Sequence, residues 1–521
     1  MPLVRRFGGL AQNVLAKLPF AGILFNRDTA YQHLERLSDY EKELGEPATQ
    51  ALAEGNPKPV VQNGADDDGD EHEHEKGALA KFDAVLEALN QDKLPQRALS
   101  TRQKMQPQYS GKAPTVSEPT CGSYNICFSL TFDDNTQWLI RFPITGTKGK
   151  WTDASSRALA TEAKTMIFLK KDTSIPLPDV FEFCATPDNE LNCPYILMSY
   201  ITGYPLQHVW WGHHVGLHTP EENEKCRRRM LEGVASAAKQ LTQFSFTKGG
   251  SLEFDDQGRP SGVSSLRIVD NKPQHDRILK EDEEGGDPVY FEAGPFENPE
   301  DQYLSALNMR REKADPVVEI LKMVLRLIPE NDEDEHQFDL AHPDFAPQNI
   351  IVSEEGEIRG IIDWDGVAVV PLSVGSRRYP SWITRDWDFM NYTYEEAVAE
   401  GGEDLGPLKE DSPEALKRYR DLYRKVFDES HPGLLSPVSA SVSTELMRMS
   451  VVAGTVYTAA MEPCDLDLFM NKLMDKVSDE ASDHVDVGFF DLYMAVEDKE
   501  VDDDLLDCLE EAFASFLETD L

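Results

Sequence analysis

The sequence predicts a two-lobed α+β fold, in which a small strand-rich unit precedes a larger helical one. Apolar and polar side chains alternate along Ile126–Phe132 and again along Trp138–Phe142, the period-two signature of half-buried strands. Amphipathic helical patterns dominate the chain from residue 204 onward. Within that helical half, two short apolar runs, Ile350–Val352 and Ile358–Ile362, flank a Glu355-Gly356 turn and predict a second hairpin.

Composition sets the outer limits. The chain has 521 residues, 40% hydrophobic and 28% charged, which is globular and consistent with about three structural units. Its 94 acidic residues outnumber 51 basic ones, a formal charge of −43. Nucleic-acid binding needs clustered Lys and Arg, so that partner class is disfavoured. No run of ~18 apolar residues occurs, so no integral membrane segment is expected. The 7 cysteines are scattered without a CxxC pair, which suits reduced thiols inside the cell.

The elements follow in order. Residues 1–60 are expected to form an N-terminal helical extension. Leu3, Phe7, Leu10, Val14 and Leu18 share a helical stripe beside Arg5, Arg6, Lys17 and Arg27. That pattern fits either a mitochondrial presequence or a helix docked on the main domain, so the location is cytoplasmic or, alternatively, mitochondrial. Residues 61–112 form an acidic low-complexity linker plus a short helix at Leu79–Leu89; His72 and His74 lie among the acidic residues of a solvated tract. The strand-rich lobe spans 113–203, with a hairpin at 122–143 turning at Asp133–Thr136. Thr152 or Asp153 caps a helix running to Lys171, with Leu159, Ala163, Met166 and Ile167 on one face. Tyr195–Met198 reads as a buried strand leading into Ser199–Gly203.

The helical lobe spans 204–521, with helices at Arg227–Phe244 and Tyr303–Ile328 and an exposed acidic loop between them around Glu281–Glu284. Met461–Leu521 holds 20 acidic and 3 basic residues. Leu505, Leu506, Leu509, Ala512, Phe513 and Phe516 still supply an apolar helical face there, so packed helices with an acidic outer surface are expected.

The chemistry concentrates at 340–366. The second hairpin places Asp344 and Asn349, in the preceding loop, at the end from which Asp363 emerges. Three oxygen-bearing side chains converging there suit a hard cation such as Mg²⁺ bridging phosphates. A remaining carboxylate can orient a hydroxyl and accept its proton.

His342-x-Asp344-x₄-Asn349, followed 14 residues later by Asp363, resembles the catalytic loop and metal-binding Asp of the protein-kinase-like fold. Ile362-Asp363-Trp364-Asp365 is similar to the IDWD signature of the aminoglycoside phosphotransferase and choline-kinase-like family, with fungal members the nearest in appearance. The resemblance covers about residues 115–400. It implies a phosphotransferase that uses ATP and Mg²⁺ to phosphorylate a hydroxyl of a small molecule. Asp344 would be the catalytic base, Asn349 and Asp363 the metal ligands, and His342 a brace for the loop. Asp365 would be either metal-proximal or a surface residue. Gly122 and Ser123 fall where a nucleotide-covering loop belongs, although GxGxxG is lacking. Arg141 stands where kinases usually carry a phosphate-gripping Lys, and Glu162 where its partner belongs; a purely structural ion pair is the other reading. Met198, Ser199 and Tyr200 fall at the hinge that reads the adenine edge through backbone groups. Arg385, Asp386 and Trp387 are candidates for substrate recognition, with Trp387 either facing a cation or packing the lobe. The alternative functions are a nucleotide-binding pseudokinase or scaffold without catalysis, or a protein kinase.

Overall fold

The computed structural model describes residues 79–270, 273, 287–308, 315–328, 337–388, 392, 394, 410–429, 437–461, 466–480, 489–501 and 503–518. The expected presequence, the acidic His72/His74 tract and Glu281–Glu284 lie outside the described residues. The remainder folds into two lobes of mixed helix and antiparallel sheet.

Among the described residues, two α-helices, α1 (Asp83–Ala88) and α2 (Leu94–Met105), precede the small lobe. Its strands are β1 (Thr115–Val116), β2 (Thr120–Cys121), β3 (Asn125–Thr131), β4 (Gln137–Pro143), β5 (Val180–Cys184) and β6 (Tyr195–Ser199). They form an antiparallel sheet in the order β1-β3-β4-β6-β5, with β2 also on β3. Asn135 turns the predicted hairpin with φ +63°. One face of the sheet, carrying Ile126, Phe128, Leu130 and Phe132, packs with Phe82, Val85, Leu89, Leu94 and Ala98 of the preceding segment. Residues 79–105, which the sequence placed with a linker, therefore roof the small lobe. Arg102 fastens this roof, with its Nη1 donating to Asp134 at 3.0 Å and its guanidinium over the Tyr109 and Phe132 rings.

The opposite face carries α3 (Asp153–Asp172), where Thr152 Oγ1 accepts from the Ser155 amide at 3.1 Å as a helix cap. Leu159, Ala163, Met166 and Phe168 are buried. Ile167, placed on that face by sequence, is 44% exposed; the helix turns Phe168 inward in its place. Strand β6 is buried on both sides, Tyr195 and Leu197 towards the roof and Ile196 and Met198 towards the body of the protein.

The chain crosses to the large lobe at Gly203, where a Cβ would meet the Val352 carbonyl at 2.5 Å. There β7 (Tyr204–Pro205) leads into α4 (Leu206–Trp210) and α5 (Pro220–Leu241). Helix α5 starts earlier than its apolar pattern indicated, because Thr219 and Glu222 form a reciprocal capping box ahead of it. The inserted span that follows is not simply loop: its described residues form β8 (Ser245–Phe246), β9 (Ser251–Phe254), β10 (Pro260–Ser264), β11 (Leu266–Asp270) and β12 (Val289–Ala293). β9 pairs with β10 and β11 with β12. These hairpins lie against α3: Thr161 Oγ1 donates to the Leu252 carbonyl at 3.1 Å, and Arg157 pairs with Glu292.

Among the described residues, three shorter helices stand where the sequence predicted a single one: α6 (Pro299–Tyr303), α7 (Ser305–Asn308) and α8 (Pro316–Leu327). Next come β13 (Phe338–Ala341), β14 (Ile350–Val352), β15 (Ile358–Ile361) and β16 (Ala368–Pro371). Two three-stranded sheets result, β16-β13-β8 and β15-β14-β7. Gly356 turns the β14–β15 hairpin at φ +83°, with the Cys226 carbonyl only 2.8 Å from where a Cβ would stand.

Helices α9 (Pro413–Glu429), α10 (Pro437–Met461), α11 (Leu466–Glu480), α12 (Phe489–Asp498) and α13 (Asp503–Glu518) complete the chain. Leu509, Ala512 and Phe513 are buried as the acidic C-terminal helix requires. A buried ionic knot fixes α5 to α9: Arg227 Nη1 donates to Asp411 at 2.9 Å and to the Tyr419 hydroxyl at 2.8 Å, and Trp210 Nε1 donates to Asp411 at 2.8 Å.

Candidate active site

The two sheets of the large lobe aim their loops at one point. Strand β13 delivers His342 and Asp344, and the β14–β15 hairpin carries Asn349 into one strand and Asp363 out of the other. The Ile362 peptide is the joint between them. Its N–H donates to the Asn349 carbonyl at 2.9 Å, and its C=O accepts from His342 Nε2 at 2.9 Å. The Asp344 amide in turn donates to His342 Nδ1 at 3.2 Å. One ring nitrogen therefore accepts while the other donates, which specifies a neutral imidazole. Burial pushes His342 down to about 3, and its ring stands edge-on to Trp364, centroids 4.6 Å apart. Its contacts are those of a brace.

Asn349 Nδ2 donates to Asp344 Oδ2 at 2.8 Å and to the Asp344 carbonyl at 3.0 Å; Gln348 Nε2 reaches the same Oδ2 at 3.2 Å. These bonds use neither Asp344 Oδ1 nor Asn349 Oδ1. The Asp344 carboxyl is pushed up to about 6 by burial and by the nearby Asp363 charge, while Arg378 and the two amides oppose the rise. Gln348 and Arg378 support this carboxylate without any spacing rule that would have singled them out.

The small lobe supplies the facing wall. Arg141 on β4 pairs with Glu162 of α3 and donates Nη1 to Asp363 Oδ1 at 3.0 Å, across the lobe boundary. Burial works against the Arg141 charge, but Glu162, Asp363 and Asp365 more than offset it and hold the guanidinium protonated. Burial raises the Glu162 carboxyl, an effect that Arg141 opposes. Opposite Arg141 in register is Cys127, whose thiol burial pushes up to about 12. It is one of six described cysteines, none of which forms a disulfide.

On the small-lobe side of this group lies a cleft of about 390 Å³, counting space open to solvent, whose lining includes Tyr124, Asn125, Arg141, Glu162, Arg267 and Asp365 but not Asp344, Asn349 or Asp363. The Gly122–Ser123 turn closes through Gly122 N–H to the Asn125 carbonyl at 2.9 Å; the side chains that reach the cleft are those of the next two residues. At the expected hinge segment, Met198 is buried, and the Ser199 and Tyr200 amides donate to Asp179 and Gln137 carbonyls at 2.9 and 3.2 Å. Those two N–H groups are thus engaged within the protein.

Arg385, Asp386 and Trp387 stand apart from this group. Arg385 pairs with Asp388 and Glu410, Asp386 takes a bidentate pair from Arg420 at 2.7 and 2.9 Å, and Trp387 is buried beneath Lys476. Their described partners are all within the large lobe.

The donor chemistry suits Mg²⁺. Asn349 and Asp363 offer hard oxygens only, and this ion commonly binds one or two carboxylates plus substrate phosphates, not an all-protein cage. Among the described residues, no group of three or more His, Cys, Asp or Glu side chains could hold a metal ion alone. No helix among them is long and apolar enough to cross a membrane.

Residues 133–373 match the family model described as the phosphotransferase enzyme family. The chain is 27% identical over 135 residues to altered inheritance of mitochondria protein 9, mitochondrial, of Candida albicans strain WO-1, covering 26% of this chain and 21% of that protein. It is 28% identical over 141 residues to a subtelomeric hrmA-associated cluster protein of Aspergillus fumigatus strain A1163, covering 27% of this chain and 25% of that one. The match thus spans about a fifth to a quarter of these relatives' length. An ethanolamine kinase structure from Plasmodium vivax superposes with a TM-score of 0.34 and 12% identity, over 78% of this chain and 86% of that one.

Proposed function

We propose that this chain, whose residues 133–373 match the phosphotransferase enzyme family model, transfers the γ-phosphoryl group of ATP to a hydroxyl of a small molecule. The observation that carries the reading is the joint at Ile362, which gathers Asp344, Asn349 and Asp363 opposite the Arg141–Glu162 pair.

In this reading Asp344 Oδ1 accepts the hydroxyl proton as the hydroxyl oxygen bonds to the γ-phosphorus and the bond to the β–γ bridging oxygen breaks, releasing ADP. Asn349 and Gln348 orient the carboxylate through Oδ2. Asn349 and Asp363 would hold Mg²⁺, which when bound neutralises phosphate charge. Arg141, held by Glu162, steadies the phosphates. Most of the acceleration then comes from positioning and electrostatic stabilisation.

The test is transfer from γ-labelled ATP into a small-molecule extract, with and without Mg²⁺. Label should enter a low-mass product, and Asp344→Asn should slow its formation by at least about a hundredfold. Label confined to protein would favour a protein kinase instead. One observation favours a second reading, a nucleotide-binding scaffold: Arg141 occupies Asp363, so a cation would have to compete for that carboxylate. Asp363→Ala separates the two, abolishing Mg²⁺-dependent turnover in an enzyme and sparing a scaffold. The names of the Candida relatives support a mitochondrial location over a cytoplasmic one; protease protection of the protein in isolated mitochondria tests it.

A further inference from the structure

The β11–β12 hairpin places on the cleft wall a cation that the mechanism above does not use. Arg267 lies on β11, with its guanidinium 4.1 Å from the Tyr290 ring centroid on β12. Nη1 donates to Ser155 Oγ at 3.2 Å, in the first turn of α3, and Nη2 stands 3.5 Å from Asp365 Oδ1. Both Arg267 and Tyr290 line the same cleft as Arg141, Glu162 and Asp365. The side chain is only 13% exposed, so its stacking on Tyr290 fixes where the charge points.

The charge balance explains why such a group matters. Arg141 already serves two carboxylates, Glu162 and Asp363, and Asp365 joins Glu162 as a second acidic side chain in the cleft lining. A nucleoside triphosphate is itself a polyanion, so one committed guanidinium facing several carboxylates makes a poor receptor for it. The ion pair of Arg267 is weaker by comparison. Its approach to Asp365 is at the outer limit for a hydrogen bond, and a planar guanidinium offers several donors in a fork suited to phosphate oxygens.

We propose that Arg267 is a second polyphosphate-binding arginine of this cleft, exchanging Asp365 for a phosphate oxygen when nucleotide enters. The inference rests on the phosphotransferase reading and adds to it a contact from an inserted hairpin. Calorimetric titration of the full-length protein with AMP-PNP and, separately, with adenosine tests it, in the presence of Mg²⁺. Arg267→Met retains an unbranched apolar side chain over Tyr290 and should weaken AMP-PNP roughly tenfold to a hundredfold, the usual scale for a hydrogen bond to a charged group, leaving adenosine unchanged. Arg267→Lys should recover part of the loss. If Arg267→Met leaves AMP-PNP binding intact, or weakens AMP-PNP and adenosine alike, the proposal is overturned, and the second outcome assigns Arg267 to hairpin structure. A wild-type protein that binds no AMP-PNP would instead refute the phosphotransferase reading, and this inference with it.

Discussion

At Asp363 the backbone takes φ +62°, in the left-handed region where a Cβ crowds the adjoining carbonyl. An unstrained chain would place glycine there; the carboxylate is retained at a conformational cost. Asp363→Gly should therefore be more stable than Asp363→Ala by about 1 kcal/mol. Thermal or denaturant unfolding of the two variants measures the difference, and equal stabilities would exclude backbone strain at this position. His342 makes a second residue-scale prediction. Its folded-state value lies near 3 against an ordinary 6.5, so the folded protein resists its protonation. The stability contribution is complete above about pH 6.5 and declines as pH falls towards 3. The His342 imidazole resonances should stay those of the neutral Nε2–H form between about pH 5 and 8; a midpoint inside that interval would contradict the brace.

At the level of elements, legibility followed locality. The hairpin of β3 and β4 and the helix α3 were readable because alternation, a turn cluster and a capping Thr152 all lie within short windows. The His342, Asp344, Asn349 and Asp363 set was readable because its members fall within one short stretch of sequence, on β13's exit and the hairpin that follows it. The start of α5 is equally local: Thr219-Pro220-Glu221-Glu222 is a capping sequence, lying ahead of the apolar stripe that marks the helix from Arg227. Arg267 had no such signal, since 98 residues separate it from Asp365 and only the folded hairpin joins them. The roof over the small lobe was also hidden. An amphipathic stretch at 79–89 announces a helix but not the sheet it covers. Phe82→Ala, at a fully buried ring within that roof, should cost about 3–5 kcal/mol. A loss below 1 kcal/mol in denaturant unfolding would mean that the roof is peripheral to the stability of the lobe.

Across the whole molecule, the excess of acidic residues, −43 formally, makes self-repulsion a property of the surface and not of any pair. Raising NaCl from about 20 to about 200 mM shortens the screening length to under ~10 Å and should raise Tm. A flat or falling Tm would show that local ion pairs outweigh the general repulsion. The buried Arg227–Asp411–Tyr419 knot should be insensitive to that change, because its charges lie away from solvent. Besides the Arg141–Asp363 pair, two tethers join the lobes, the first through Gly203 and the second through the hairpin of β11 and β12, where Lys150 meets Asp287 and Arg157 meets Glu292. These latter pairs are exposed, so the ions that quiet the molecule's overall repulsion also slacken this second tether. Thermal endurance and ease of opening are thereby set against each other by the surrounding electrolyte: in dilute buffer the cleft is a stiff jaw on a strained body, and in brine a looser jaw on a steadier one.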